Sequence, residues 1–145
     1  MKEISTNKPP ISFWIISILA FIWNIMGVLA YIGQAYMTEE DLAVLPEAEQ
    51  ALYTNVPAWA TAAFAVGVFA GTLGCLFLIL RKKWAKNLFF LSFVGIIVQM
   101  VYNLFISKAI EVYGPGGAIM PIMILIIAVF LIWYTNKSIY KNWIS

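Results

Sequence analysis

The 145 residues contain no histidine and one cysteine, and only 11% of them are charged. Without histidine the chain can ligate no b-type haem and build no histidine metal site of its own. Cys75 stands alone in an apolar run, so no intrachain disulfide forms. Charge is absent from four long stretches: no Asp, Glu, Lys or Arg occurs in 9–38, 50–80, 87–107 or 112–136. Proton relays and ion pumps depend on ionisable groups within the membrane, and this sequence supplies none there. Ser17 and Ser92 have neither a histidine nor a buried acid to activate them as nucleophiles. The expectation is therefore a chain that is not an enzyme and needs no cofactor or metal.

What replaces charge is apolar length. The chain is 63% hydrophobic with mean hydropathy +0.88, whereas soluble domains carry about 25% charged residues. Four runs, at about 11–31, 58–80, 88–106 and 118–135, are long enough to cross a bilayer, since about 20 helical residues span roughly 30 Å. For the first run the rival is a secretory signal. Its apolar length exceeds the roughly 7–15 residues of a signal core, and no clear small-x-small cleavage site follows it. The fold expected is an all-α membrane protein, one four-helix transmembrane domain over 1–145.

The polar connections sort by charge. Taken alternately along the chain, one side carries Lys2, Lys8, Arg81, Lys82, Lys83, Lys86, Lys137 and Lys141. The other carries only Lys108, with Glu39, Glu40, Asp41, Glu47, Glu49 and Glu111. Short basic loops stay cytoplasmic, so both termini are expected in the cytoplasm of a cell whose inner membrane holds the protein. The basic side suits anionic headgroups, and the lipid bilayer is the expected partner; nothing points to nucleic acid. The Arg81-Lys82-Lys83 run reads as a topology anchor. Trp14, Trp84, Trp133 and Trp143 form an expected aromatic girdle on that side, with Tyr36, Tyr53, Trp59 and Tyr113 on the other.

Residues 37–57 make an acidic outer loop. Thr38 with Asp41 three later forms a capping-box-like start, and Pro46 opens a second short segment. Leu42, Leu45, Leu52 and Tyr53 recur at helical spacing, giving one or two short amphipathic outer helices between the first and second spans. Tyr113-Gly114-Pro115-Gly116-Gly117 reads as a glycine-rich outer turn, and Pro121 suits the first turn of the fourth span.

Neutral polar residues are the remaining pointers. Ser17, Ala20, Asn24, Gly27, Tyr31 and Gln34 share one face of the first helix; Ser92, Gly95, Gln99, Tyr102 and Asn103 share one face of the third. An amide facing hydrocarbon costs several kcal/mol, so both stripes face inward. Asn24 lies 13 residues past Ile11 and Gln99 lies 12 past Asn87, which places the two amides at one depth, below Tyr31 and Asn103. Asn24, Tyr31, Gln99 and Asn103 are the candidate solute-binding set; the same amides serve equally as packing glue between helices. On the second helix, Gly67, Gly71 and Gly74 permit close helix packing, within the chain or against another copy.

The stretches Trp23-Asn24-Ile25-Met26-Gly27, Pro57-Ala58-Trp59-Ala60-Thr61, Gly71-Thr72-Leu73-Gly74-Cys75 and Arg81-Lys82-Lys83-Trp84-Ala85 carry a resemblance. Together they are similar to small four-helix membrane proteins of Bacteroidota that go by the name of sugar transporters. The resemblance implies transport of a small polar, sugar-like solute. It carries over no functional residues. Two functions stay open: a solute carrier or facilitator, small enough as one chain to call for a homo-oligomer, and a non-catalytic accessory or assembly subunit docking a membrane partner through the glycine face.

Overall fold

The computed structural model describes residues 8–54 and 56–145; Lys2, counted above on the basic side, lies outside them. Every regular element among the described residues is helical. In chain order these are α1 (Ile11–Ala35), α2 (Glu39–Ala43), α3 (Glu47–Tyr53), α4 (Ala58–Ile79), α5 (Trp84–Val101), a π-helical turn (Tyr102–Ile106), α6 (Ala109–Tyr113), a 3-10 turn (Pro115–Ala118) and α7 (Ile119–Tyr140). Among the described residues, four helical stretches are long and apolar enough to cross a membrane: Ile11–Ala35, Ala58–Ile79, Trp84–Ile106 and Gly116–Tyr140. The protein is a multi-pass membrane protein of four helices, with two short helices between the first span and the second.

The spans outrun the apolar runs. α1 continues to Ala35 and α7 to Tyr140, while α5 starts at Trp84, four residues before Leu88. Polar residues such as Gln34, Lys86 and Lys137 extend a helix through the interface without entering hydrocarbon, so hydropathy alone stops short. Inside the spans, Thr72, Thr135 and Ser138 satisfy their hydroxyls on the carbonyl one turn back: Thr72 on Val68 (2.7 Å), Thr135 on Leu131 (2.7 Å) and Ser138 on Tyr134 (2.9 Å).

The helices pack as a row. α4 and α5 make the most extensive pair, α1 lies on α4, and α7 lies on α5. The α4–α5 pair is close because its facing residues are small. Ala60, Ala63, Gly67, Ala70, Gly71 and Gly74 are all buried on α4. A Cβ on Gly95 would lie 2.8 Å from both the Ala63 oxygen and the Gly67 nitrogen, so the two backbones touch there. Ser92 Oγ donates to the Gly67 carbonyl across the same contact.

The expected glycine face is therefore filled within the chain. A Cβ on Gly67 would meet Ile96 of α5, one on Gly74 the Phe89 ring of α5, and one on Gly71 would overlap the Asn24 side chain of α1.

The two ends differ. At the basic end, Phe13, Leu78, Ala85, Phe89, Leu131, Tyr134 and Ile144 form the buried core. Trp143 belongs to it rather than to an outward girdle: its ring packs on Phe13 (6.0 Å) and Tyr134 (6.3 Å). At the acidic end the helices part, and the short elements fold over the gap.

Candidate functional site: a polar cavity at the acidic end

The gap is a cavity of about 500 Å³, a volume typical of small-molecule sites. Each of the four spans contributes a wall. α1 supplies Gln34, α4 Ala60 and Phe64, α5 with its π turn Gln99, Tyr102, Asn103 and Leu104, and the fourth span Gly117, Met120 and Pro121. Leu52 and Tyr53 of α3, with Ala109 and Tyr113 of α6, complete it. No lining residue is ionisable as acid or base at neutral pH; the polar lining is amide, hydroxyl and phenol.

The π turn aims part of that lining. The Ser107 amide bonds the Tyr102 carbonyl at 2.8 Å, five residues back, and Ser107 Oγ bonds the Asn103 carbonyl at 2.9 Å. Opening the helix by one residue there turns Tyr102 and Asn103 together toward the cavity. Such π segments recur at functional sites. Tyr102 is buried, with its ring edge-on to Trp59 at 5.6 Å.

Hydrogen-bond use separates the polar residues. Gln34, Gln99, Tyr102 and Asn103 all line the cavity, and their side chains make no hydrogen bond to any described residue. Asn24 is the opposite case. Its Nδ2 donates to the Ala20 carbonyl (2.9 Å) and to Cys75 Sγ (3.4 Å), and its oxygen lies against Gly71.

The structure thus divides the expected set. Gln99 and Asn103 stand together at the cavity. Asn24 sits apart beside Ser92, at a void of about 20 Å³ between α1, α5 and α7, about the size of one water. Tyr31 lines neither space; its ring packs edge-on between Phe64 (5.4 Å) and Phe69 (5.5 Å) of α4. The single depth expected for Asn24 and Gln99 fails because α1 is set toward the basic end. Phe13 is drawn under Tyr134 and Trp143. That brings Asn24 level with Ser92, seven residues below Gln99, or about 10 Å along the helix. Gln34 takes the place expected of Asn24.

Two short elements, α3 and α6, line the mouth, and α2 precedes α3 in the same loop. Thr38 and Asp41 form a complete capping box at the start of α2, each backbone amide bonding the other side chain at 3.1 Å. Those Thr38 contacts, the backbone amide first, hold the Asp41 carboxyl below the ordinary Asp range. Leu42, Leu45, Leu52 and Tyr53 are partly buried, as the amphipathic spacing predicts. Opposite them, α6 hangs between two left-handed residues, Lys108 (φ 54°) and Gly114 (φ 79°). A hydrogen bond joins the two sides, Tyr53 Oη to Tyr113 Oη at 3.4 Å. Burial, then the Tyr53 hydroxyl and the nearby Glu49 charge, push the Tyr113 phenol above its ordinary range. Sequence reading placed both tyrosines in an aromatic girdle; only the paths of the two loops bring them together.

Among the described residues no group of His, Cys, Asp or Glu is arranged to hold a metal ion. Comparison with known proteins finds no matching family model, no similar curated protein and no similar solved structure.

Proposed function

We propose that this protein is a carrier or facilitator for a small, uncharged, polar solute, sugar-like in its hydroxyl groups, and that it works in the inner membrane as a homo-oligomer. The observation that carries this reading is the set of unused donors and acceptors around the cavity. Three carboxamides, Gln34, Gln99 and Asn103, and the Tyr102 phenol converge on one space, and a donor or acceptor left without a partner by a solute enclosed there would cost roughly 1–3 kcal/mol. A hydroxyl-rich solute satisfies both the donor and the acceptor of each carboxamide. An ion entering the same space would lose its hydration with no opposite charge to replace it. In this reading the acidic end faces outward and both termini are cytoplasmic, following the positive-inside rule.

The accessory-subunit reading rested on a free glycine face. Gly67, Gly71 and Gly74 are already covered by α5 and α1, so that role would need another surface.

The test is thermal stabilisation of detergent-purified protein by a panel of neutral sugars and polyols, followed by uptake of any stabilising compound into proteoliposomes. The expected result is a shift with at least one member, lost in Gln99→Leu and in Asn103→Leu and kept in Tyr31→Phe. No shift with any neutral solute, or shifts indifferent to Gln99 and Asn103, would overturn the reading.

A further inference from the structure

The cavity ends above Asn24, and the last five residues fold into the core that closes the bundle below it. After Tyr140 the chain reverses through Asn142, a non-glycine residue in the left-handed region (φ 58°). Trp143 then packs on Phe13 and Tyr134, and Ile144 is only 1% exposed within the core. Hydrogen bonds fasten this hook to the α4–α5 turn. Arg81 Nε donates to the Trp143 carbonyl (2.7 Å), the Ser145 amide to the Arg81 carbonyl (3.1 Å), and the Lys83 amide to the Ser145 carbonyl (3.1 Å). Arg81 is itself left-handed (φ 61°). The sequence reads Arg81 as a charge that sets topology; in the structure it is also the clasp of the hook.

We propose that the hook is the gate of the basic end: while it is fastened to Arg81 and Lys83 the solute path is closed there, and its release lets α1 and α7 part. The proposal rests on the carrier reading for what passes through, but the gate has its own structural grounds.

The first is the packing order. α1 packs on α4, and α7 on α5, far more than on each other. At the basic end they are joined through Phe13, Tyr134 and Trp143. Withdrawing Trp143 and Ile144 leaves that seam held by the Phe13–Tyr134 stack (6.3 Å) and does not touch the close α4–α5 pair. The second is continuity. The void beside Asn24 and Ser92 lies on the same seam, lined by Trp23 of α1 and by Ile127 and Leu131 of α7, between the cavity and the hook.

The third is that the seal is polar where it need not be. Ser17 Oγ and Tyr134 Oη are buried without a hydrogen-bond partner among the described residues. An apolar pair would close the bundle at lower cost. Hydroxyls there favour an open, hydrated state in which they find water, so closed and open forms lie nearer in free energy. Left-handed Arg81 and Asn142 add to the cost of the fastened hook, because non-glycine residues occupy that region unfavourably.

The experiment places a reporter on α1, one turn from Phe13. Ser17→Cys, a near-isosteric change at a fully buried site, is treated in proteoliposomes with a membrane-impermeant maleimide on the basic face. The modified position is read by peptide mass. Ala63→Cys, buried in the α4–α5 contact away from the seam, is the reference for general loosening. Hook release comes from Arg81→Ala and, separately, from Ile144→Ser, so the result does not hang on one variant's folding. The expected result is modification of Ser17→Cys about tenfold faster or more in both hook variants, as loss of a charge-assisted bond or a buried anchor predicts, with Ala63→Cys still protected. Equal protection of Ser17→Cys with the hook intact and released would overturn the gate. So would a parallel rise at Ala63→Cys, which would make the hook a staple of the whole fold. Because labelling needs no solute, a missing sugar or polyol shift sinks the carrier reading alone, and a missing labelling change sinks the gate alone.

Discussion

In the basic half of the bundle, Asn24 donates twice and rests against Gly71; in the acidic half, Gln99 donates to nothing. The two side chains differ by one methylene and belong to equivalent stripes on helices that run the same way. Their difference comes from spacing between backbones. Around Asn24 the glycines of α4 bring three helices close enough for an amide to be held by the protein itself. Around Gln99 the π turn, Pro121 and the two short elements keep the helices apart, so the amide faces open space. Amide content in a membrane helix thus says little about function until it is known whether the amide already has a partner.

The sharpest way to break this contrast is to add one methyl group at the α4–α5 contact and one near the acidic end of α1. Gly95→Ala places a Cβ 2.8 Å from two backbone atoms that cannot move independently, and overpacking of this kind costs about 1–3 kcal/mol or more. Gly33→Ala meets nothing within 4 Å and should stabilise by up to about 1 kcal/mol through helix propensity. Melting of the two variants in the same detergent should therefore move in opposite directions. A loss of similar size in both would mean that α1 at the acidic end is packed as tightly as the α4–α5 contact.

Next in size are the amides. Asn24→Leu breaks two hydrogen bonds and crowds Gly71, and should destabilise by about 1–3 kcal/mol. Gln99→Leu removes an amide without a partner and should change stability by less than about 0.5 kcal/mol. The sites share no partner, so the double variant should be additive within about 0.5 kcal/mol. A larger coupling in a double-mutant cycle would restore the single cluster that the sequence stripes imply.

Smaller effects lie in the covers over the cavity. Tyr53→Phe removes the hydroxyl bonded to Tyr113 while burial remains, so the Tyr113 phenol should titrate lower but still above its ordinary range. Ultraviolet titration of the variant against the parent reads this directly, and an unmoved Tyr113 would mean that the two elements do not meet. The Thr38–Asp41 box gives the smallest effect. Because Asp41 is held below its ordinary value of 3.8, its contribution to α2 is complete above that value and is lost as pH falls through the lower folded value. In Thr38→Ala, Asp41 followed by NMR should return upward toward 3.8.

Much of this was legible in the residues themselves. The four spans follow from charge-free apolar length, the capping box from Thr38 and Asp41, and the inward faces from the spacing of Asn24, Gln99 and Asn103. Periodicity fixes which face a residue shares, but not the vertical offset between two helices. Here that offset is set by Phe13 reaching Trp143, a contact between residues 130 positions apart. The π turn was equally hidden, because Tyr102–Ile106 carries the same apolar pattern whether its amides bond four residues back or five. Tyr53 and Tyr113 lie 60 residues apart and meet only through the paths of two loops.

The central claim is that one half of the bundle is open to solutes and the other is sealed. Gln99→Cys and Ser92→Cys test it most directly, since these positions lie on one face of α5 two turns apart, one at the cavity and one beside Asn24. A membrane-impermeant maleimide applied to the acidic face should modify Gln99→Cys readily and leave Ser92→Cys unmodified over the same period. Equal reactivity at the two positions, fast or slow, would contradict the account.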